Sequence, residues 1–327
     1  MTQNNLSRRD RHRHKAKRRP KKRRSGCLIF LGILLFILLI VAGVGAYFYN
    51  RVNTTLTEIQ QSRPTEQINL RDESTINLVQ EKESFSVLLL GVDTGSEGRV
   101  DQGRSDIVVV ATVNPTTKNM TLTSIPRDTL TEIVGYGTED KINHAYAFGG
   151  VSMAANTVQQ LLGIPIDYTI SANMQGFSDI IDTLGGIPIT SVDSFTQGDY
   201  TFVEGQSYNM SGEMALAYTR NRYDTGGDYS RQERARQLVS AIVQEATQVD
   251  TLANIPGILS SLSGNVLTDL TISDIRTIAL DYRDAIQNVE TIQLNGSGQM
   301  IDGVYYEILD PASLEEVQLK LQSELGL

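Results

Sequence analysis

Arginine is gathered into a few short segments of this 327-residue chain, although the chain after Gly26 is acidic, with 17 Lys and Arg against 37 Asp and Glu. Eight of those cations are arginines that lie beside predicted strands or in one predicted helical region: Arg99, Arg104, Arg127, Arg220, Arg222, Arg231, Arg234 and Arg236. A guanidinium group can bind two phosphate oxygens at once, which an ammonium cannot do. The clustering favours a site for a multiply charged anion, although each arginine alone is also explained as a solvated charge.

Two shorter motifs also bear on this candidate site. Tyr218-Thr-Arg-Asn-Arg222 stands in an apolar context, and we interpret it as extended. Because alternate residues of an extended segment point the same way, Arg220 and Arg222 are predicted to face one ligand. Lys141-Ile-Asn-His144 is either a polar loop or one more phosphate contact.

Carboxylates stand among these arginines. Asp93 ends the first apolar run, Asp106 opens the second, and Asp128 follows the third. Ligands of α/β sheets bind at such strand ends, and two carboxylates beside a phosphate are the usual way to hold Mg²⁺. Capping of turns, or ion pairing of Asp93 and Asp106 with nearby arginines, is the structural alternative. Asp228 opens a predicted helix, where an acid is also an ordinary capping residue.

Other chemistries lack the residues that they need. His144 is the only histidine after the N-terminal tail and Cys27 is the only cysteine, which excludes disulfides, a thiolate nucleophile and a zinc site built on His or Cys. A Ser–His–Asp triad is nearly excluded, and no G-x-S-x-G, Walker or S-x-x-K motif occurs. Metal-assisted phosphoryl transfer remains, because it needs mainly positioning and charge neutralisation.

The elements that must position these residues alternate between strands and helices, which predicts a layered α/β/α sandwich with a mixed central sheet. Strands are predicted over 84–93, 106–114, 120–125, 166–171, 187–192 and 289–294. Helices are predicted over 151–162, 175–184, 211–218, 230–247, 252–263 and 272–284, with a last helix after Pro311.

Before this domain, charge and hydropathy change abruptly. Residues 1–26 hold 12 Lys and Arg and one acid, and Leu28–Phe48 has no charged residue. That run is long enough to cross a hydrocarbon core of about 30 Å, and it is too long for a cleaved signal peptide. We therefore predict a basic cytoplasmic tail over 1–26, a transmembrane helix over 27–49, a stalk over 50–83 and an extracellular domain over 84–327. The cations before the span place the tail inside. Nucleic-acid binding by the tail is the alternative, and we expect no nucleic-acid partner.

Seven motifs occur in the order and spacing of the LytR–CpsA–Psr family, which this sequence resembles over about residues 84–245. They are Leu88-Leu-Leu-Gly-Val-Asp93, Arg104-Ser-Asp106, Ser124-Ile-Pro-Arg-Asp128, Lys141-Ile-Asn-His-Ala-Tyr-Ala-Phe-Gly-Gly150, Leu184-Gly-Gly-Ile187, Ala215-Leu-Ala-Tyr-Thr-Arg-Asn-Arg222 and Asp228-Tyr-Ser-Arg231.

The resemblance implies a phosphotransferase of Gram-positive envelopes. Such a protein moves a glycopolymer, teichoic acid or capsule, from an undecaprenyl-pyrophosphate carrier to a peptidoglycan acceptor at the membrane. It also implies an apolar tunnel for the polyprenyl chain, which we expect to be lined by the helices of residues 151–184.

By the same resemblance, each site residue takes a role. The pyrophosphate would be bound by Arg104, Arg127, Lys141, Arg220, Arg222 and Arg231, and Arg104 would also lie close to the metal. Mg²⁺, with Mn²⁺ as the alternative, would be held by Asp93 and Asp106. The catalytic residues would be Arg127, Arg220 and Arg222, and Asp228 would assist them.

One position departs from the family pattern. Ala235 stands where a glutamine is expected, and we expect Arg236 or Gln237 to compensate. This departure keeps two alternatives open, a polyprenyl-pyrophosphate binder that transfers nothing and a pyrophosphatase. A membrane-bound transcriptional regulator is a third alternative, supported only by the basic tail.

Overall fold

The computed structural model describes residues 70–71, 77–93, 103–221, 228–246 and 264–327, all of which belong to one compact unit, Asn50–Leu327. The predicted tail, the predicted span, most of the stalk and the predicted helix 252–263 lie outside these ranges. Within them, no helix combines the length and the apolar character that crossing a membrane requires.

A mixed six-stranded sheet forms the centre of the domain, in the order β11-β6-β1-β2-β3-β12. Its strands are β1 (Phe85–Val92), β2 (Ser105–Asn114), β3 (Asn119–Ser124), β6 (Tyr168–Asn173), β11 (Val266–Thr268) and β12 (Val289–Gln293). The pairs β1–β6 and β3–β12 are parallel, and the other neighbours are antiparallel. The expected mixed sheet is confirmed.

Smaller two-stranded units surround the sheet. They are β4 (Leu130–Ile133) with β5 (Thr138–Lys141), β7 (Ile187–Thr190) with β10 (Ser207–Met210), β8 (Phe195–Gln197) with β9 (Tyr200–Phe202), and β13 (Gly296–Ile301) with β14 (Val304–Leu309). The helices are α1 (Leu78–Glu81), α2 (Ile142–Leu162), α3 (Met174–Thr183), α4 (Gly212–Arg220), α5 (Asp228–Ala246), α6 (Ile272–Asp281), α7 (Arg283–Gln287) and α8 (Pro311–Leu325).

Both faces of the sheet are covered, because successive side chains of a strand point to opposite faces. Leu88 and Leu90 of β1 pack with α2 and α8 on one face. Phe85 and Val87 of the same strand pack on the other face, against α1 and the α6–α7 region, with Val239 of α5 at the border. A third cluster joins α3, α4 and α5 to the small hairpins. The layers therefore form an α/β/α sandwich.

The helix predicted over 151–162 is only the second half of α2. Its backbone is helical from Ile142 and is interrupted at Gly149 and Gly150, where φ and ψ leave the helical region. Lys141–His144 was interpreted as either a polar loop or a phosphate contact. The polar-loop alternative is wrong, because the helix begins at Ile142, and the phosphate contact stays a prediction. No side chain caps the start of the helix; instead the Ile142 and Asn143 N–H groups donate to the carbonyls of Thr129 and Arg127, at 2.9 and 3.2 Å.

The segment Tyr218–Arg222 is also different from the extended conformation that we predicted. Tyr218 to Arg220 form the last turn of α4, and only Asn221 of the described residues there is extended. Arg222 lies outside the described residues. Arg220 therefore takes its direction from a helix end, where a cation is favoured by the helix dipole.

Candidate functional site

A cavity opens at one edge of the sheet, between the strand ends of β1 and β2 and the helices α3, α4 and α5. Its empty volume, including the open mouth, is about 860 Å³. The inner wall is apolar and includes Ile107, Val109, Phe177 and Leu216. The helix of residues 151–162 packs on the opposite face of the sheet, so the prediction that it lines the groove was wrong, whereas the part of the 151–184 region that belongs to α3 does line it.

Charged groups stand at the wall of this cavity. Its lining residues include three cations, Arg220, Arg231 and Arg236, and one carboxylate, Asp106. Arg231 lies on the first turns of α5 and is only 7 % exposed, whereas Arg220 at the end of α4 is exposed. The cavity thus joins an apolar interior to a cationic wall.

Asp106 owes its position to an irregularity in the sheet. Gly91 of β1 pairs with Ile107 of β2, and the next residue, Val92, pairs with Ser105, so Asp106 is the extra residue of a β-bulge. A bulge re-aims a side chain at the end of a strand. Here it turns the carboxylate toward the cavity and toward Arg127, whose Nη1 lies 2.9 Å from Asp106 Oδ1.

A chain of ion pairs continues from Asp106 along the sheet edge. Arg127 Nε lies 3.3 Å from Asp128 Oδ2, and Lys141 Nζ lies 2.8 Å from Asp128 Oδ1. The side chains involved are between 14 and 19 % exposed. The ring of Tyr306 on β14 lies 5.6 Å from Lys141 Nζ and covers it. The structure therefore brings together Asp106, Arg127 and Lys141 of the predicted site.

The predicted metal ligands lie on the two neighbouring strands. The backbone N–H of Asp93 donates to the carbonyl of Arg104 at 2.9 Å, which places Asp93 beside the bulge that carries Asp106. No cluster of three or more His, Cys, Asp or Glu side chains suited to a metal occurs in the part of the chain that the structure describes. Two carboxylates still fit Mg²⁺, because this ion keeps water and shares phosphate oxygens of a bound substrate.

Some predicted residues do not join the cavity or cannot be placed. Arg104 is exposed and is not part of the cavity wall. Asp228 begins α5, but the position of its side chain is not described. Arg99 and Arg222 lie outside the described ranges.

Arg234 was counted with the anion-binding arginines, and this interpretation was wrong. Its side chain is fully buried, lies 2.5 Å from Asp193 Oδ2 and donates to the carbonyl of Asn221 at 2.7 Å. The ring of Phe195 stands 4.7 Å from its guanidinium carbon. Arg234 holds the chain just after Arg220, and so it positions the site from within the core.

Ala235 stands where a glutamine was expected, and its neighbours on α5 differ in whether they reach the cavity. Ala235 is 6 % exposed and lines the cavity together with Gln232 and Arg236. The Gln237 amide instead accepts from the Tyr218 hydroxyl at 3.0 Å and donates to the carbonyl of Thr190 at 3.2 Å, so the prediction that it compensates was wrong. Arg236 does reach the wall, where it contacts Glu233 and Gln293, and burial lowers the pKa of its guanidinium.

The fold and the cavity define a class of protein, an α/β/α sandwich with an apolar cavity that ends at guanidinium groups. The model of the LytR_cpsA_psr family matches residues 43–323. The chain belongs to this family.

Relatives in sequence and structure agree with this. A polyisoprenyl-teichoic acid–peptidoglycan teichoic acid transferase, TagU of Enterococcus faecalis, is 45 % identical over 299 residues, which are 91 % of this chain and 96 % of that protein. A crystal structure of an E. faecalis protein described as a transcriptional regulator is 42 % identical, with a TM-score of 0.69, covering 76 % of this chain and 90 % of that one. TagT with bound octaprenyl pyrophosphate lipid is 31 % identical, with a TM-score of 0.63 and coverages of 82 and 98 %.

Proposed function

We propose that this protein transfers a cell-wall glycopolymer from an undecaprenyl-pyrophosphate carrier to peptidoglycan. The observation that carries the proposal is the cavity, whose apolar interior suits a polyprenyl chain and whose guanidinium groups suit a diphosphate. The relative named as a teichoic acid transferase favours teichoic acid over capsule as the polymer.

In the proposed reaction, Arg220 and Arg231 bind the diphosphate at the cavity mouth, and Arg127 and Lys141 bind it from the sheet edge. A hydroxyl of a peptidoglycan sugar attacks the phosphorus nearer the polymer. The new phosphorus–oxygen bond forms as the bond to the bridging oxygen breaks, and polyprenyl phosphate leaves along the cavity. The hydroxyl proton passes to a base, a role that we assign to Asp228, and Arg222 completes the group of catalytic arginines.

Asp93 and Asp106 are proposed to hold Mg²⁺, or Mn²⁺ in its place. When bound, such an ion would neutralise charge that develops on the phosphate oxygens. Asp106 would then bind both the ion and the Arg127 guanidinium. We expect Asp106→Asn to lower transfer at a fixed Mg²⁺ concentration, and added Mg²⁺ to restore part of it, because the ion keeps only one of its two carboxylates.

The proposal also places the domain at a membrane. The charge-free run Leu28–Phe48 would anchor the chain in the cell membrane, with residues 1–26 in the cytoplasm and the domain outside. Protease added to intact cells should remove the domain and spare the tail. Digestion of the tail instead would contradict this topology.

The first experiment is the recovery of bound lipid. Full-length protein extracted in mild detergent is examined by mass spectrometry, with Arg220→Ala/Arg231→Ala as the test variant and Arg276→Ala, an exposed arginine of α6, as the control. A polyprenyl phosphate or pyrophosphate should accompany the wild type and the control but not the test variant. Absence of the lipid from all three would contradict the proposal.

Product analysis separates transfer from its alternatives. A transferase forms a phosphodiester to peptidoglycan, whereas a pyrophosphatase releases the polymer phosphate free, and a binder does neither. Arg127→Ala should abolish transfer without unfolding the domain. Deletion of residues 1–26 should leave transfer unchanged, and it would abolish function only if the protein acted as a regulator.

A further inference from the structure

Two aromatic rings are stacked on each other at the protein surface. Tyr136, at the tip of the β4–β5 hairpin, is 53 % exposed, and Phe148, on the first half of α2, is 39 % exposed. Their ring centroids are 4.1 Å apart and their planes differ by 14°. Single exposed apolar residues are common, but two large rings held face to face in water are not explained by packing of the core. We call this pair the aromatic platform.

The backbone holds the platform in place. Gly135 and Gly137 flank Tyr136 with φ of 86° and 79°, a region that favours glycine, and the Tyr136 N–H donates to the carbonyl of Ile133 at 3.0 Å. Phe148 is the last residue before the interruption of α2 at Gly149. The ring of His144, one helical turn earlier, packs against Phe148 at 5.7 Å and is itself fixed by Asp140.

The platform is connected to the cations of the proposed phosphate site. The strand β5 runs from the hairpin tip to Lys141, a length of roughly 13 Å for four residues. Lys141 is linked through Asp128 to Arg127. A short oligosaccharide spans this length, so a saccharide bound at Lys141 would reach the rings.

The reaction involves two saccharides, the glycopolymer on the lipid carrier and the peptidoglycan acceptor. The position of the platform relative to the cavity indicates which of them it would bind. The lipid cavity is covered by α3, α4 and α5, whereas Ile133 and Ile142, at the base of the platform, pack in the cluster that contains α2 and α8. In phosphoryl transfer the attacking and leaving oxygens are roughly in line. Since polyprenyl phosphate leaves on the cavity side, the attacking hydroxyl approaches from the platform side.

We infer that the aromatic platform is the docking surface for the acceptor glycan strand of peptidoglycan. The inference rests on the proposed function. Aromatic faces carry negative charge density, and the C–H groups on one face of a sugar ring are weakly positive and apolar, so the two surfaces complement each other. Glu132 and Glu139 flank the hairpin tip, which makes a polyanionic teichoic acid a poorer occupant than the glycan.

Titration of the full-length detergent-extracted protein with soluble peptidoglycan glycan oligomers tests this inference. Tyr136→Ala/Phe148→Ala should weaken oligomer binding by about tenfold or more, while the co-purified polyprenyl lipid stays at the wild-type level. Leu280→Ala/Leu319→Ala, which also removes two exposed apolar side chains, is the matched control and should bind normally. Tyr136→Phe keeps the ring and should also bind normally.

Fluorescence gives a second measurement that does not depend on the double variant. The chain contains no tryptophan, so Tyr136→Trp reports on the platform alone. Its emission should shift on addition of glycan oligomers and not on addition of teichoic acid. Equal glycan affinity in the wild type and the double variant, or an unresponsive tryptophan, would overturn the inference, whereas loss of the lipid from the wild type would overturn the proposed function itself.

Discussion

Arg234 lies in the core between a carboxylate and two aromatic rings, while Arg231, one turn earlier on the same helix, lines the cavity. The two residues have the same side chain and nearly the same burial. The two residues differ in their partners, because the Arg234 guanidinium is bound inside the protein by the Asp193 carboxylate and the Asn221 carbonyl. Composition shows that arginines cluster, but only the fold shows which of them face a ligand.

We expect Arg234→Ala to lower the free energy of unfolding by about 3 kcal/mol, because it leaves the Asp193 carboxylate without its buried cation. Arg220→Ala removes an exposed side chain and should change the free energy of unfolding by less than about 0.5 kcal/mol. Urea unfolding followed by circular dichroism measures both. Similar stability of the two variants would show that the Arg234 ion pair contributes little.

Asp140 links acid stability to the edge of the site. Burial opposes the ionised form, but the His144 ring at 2.7 Å, the Lys141 N–H and the nearby positive charges outweigh it, so the pKa of Asp140 is lowered from 3.8. A carboxyl group whose pKa is lower in the folded than in the unfolded chain stabilises the fold fully at pH values above its pKa in the unfolded chain. That stabilisation is lost as the pH falls through the folded-state pKa.

Asp140→Asn should therefore reduce the loss of stability between about pH 4 and pH 2. Near neutral pH, the variant should be less stable by no more than about 1 kcal/mol, since the pair is partly exposed. Unfolding by urea at a series of pH values gives the slope. Parallel pH profiles for the two proteins would contradict this prediction.

At the scale of elements, the site depends on how closely α3 and α4 pack. Gly212, at the start of α4, has no room for a side chain, because an added Cβ would lie 2.3 Å from the Ser178 carbonyl oxygen and 2.6 Å from its Cα. These are backbone atoms of α3, so the contact is relieved only if the helices separate. Since α4 carries Leu216 and Arg220, the cavity depends on this contact.

Gly212→Ala should destabilise the domain by about 1–3 kcal/mol and reduce the amount of co-purified polyprenyl lipid. Ser211→Ala is the matched control on the neighbouring residue. It removes only the cap bond from the Met214 N–H to the Ser211 hydroxyl, which costs about 1 kcal/mol, and it should retain the lipid. Equal lipid recovery from both variants would show that helix spacing does not control binding.

Sequence periodicity was enough to predict elements that have local signals. The apolar runs became β1, β2 and β3, Gly185 and Gly186 end α3 with positive φ, and the Ser211 hydroxyl caps α4. The first half of α2 was missed because carbonyls of a distant loop, and no local side chain, cap it. The role of Arg234 was missed for a similar reason, since Asp193 lies 41 positions away.

At the scale of the whole molecule, the C-terminal residues complete the sheet and cover it. The strand β12 extends the sheet beside β3, and α8 covers one face. Glu324 of α8 accepts hydrogen bonds from the hydroxyls of Thr112 and Thr121, at 2.5 and 2.7 Å, and its carbonyl accepts from Asn114 at 2.7 Å. One residue thus joins the last helix to two central strands.

Glu324→Ala should lower the free energy of unfolding by about 1–3 kcal/mol, because two buried hydroxyls lose their acceptor. The cavity is on the other face of the sheet, so the folded variant should bind polyprenyl lipid normally. Glu316→Ala on the same helix is exposed and should have little effect. Calorimetric unfolding together with lipid recovery tests both statements, and loss of lipid from folded Glu324→Ala would contradict the separation of stability from binding.

The ion pairs of Arg127 and Lys141 also determine which anions the surface rejects. Both cations already have carboxylate partners, so a small anion from solution must replace an existing bond to gain a new one. Free phosphate has no other group that could offset the loss of that bond. A lipid diphosphate also buries its hydrocarbon chain, which favours binding by about 0.8 kcal/mol for each CH₂ group. Selectivity over the free phosphates and nucleotides of the surroundings would then come from the hydrocarbon tail of the ligand, although Arg127 and Lys141 contact only its charged head group.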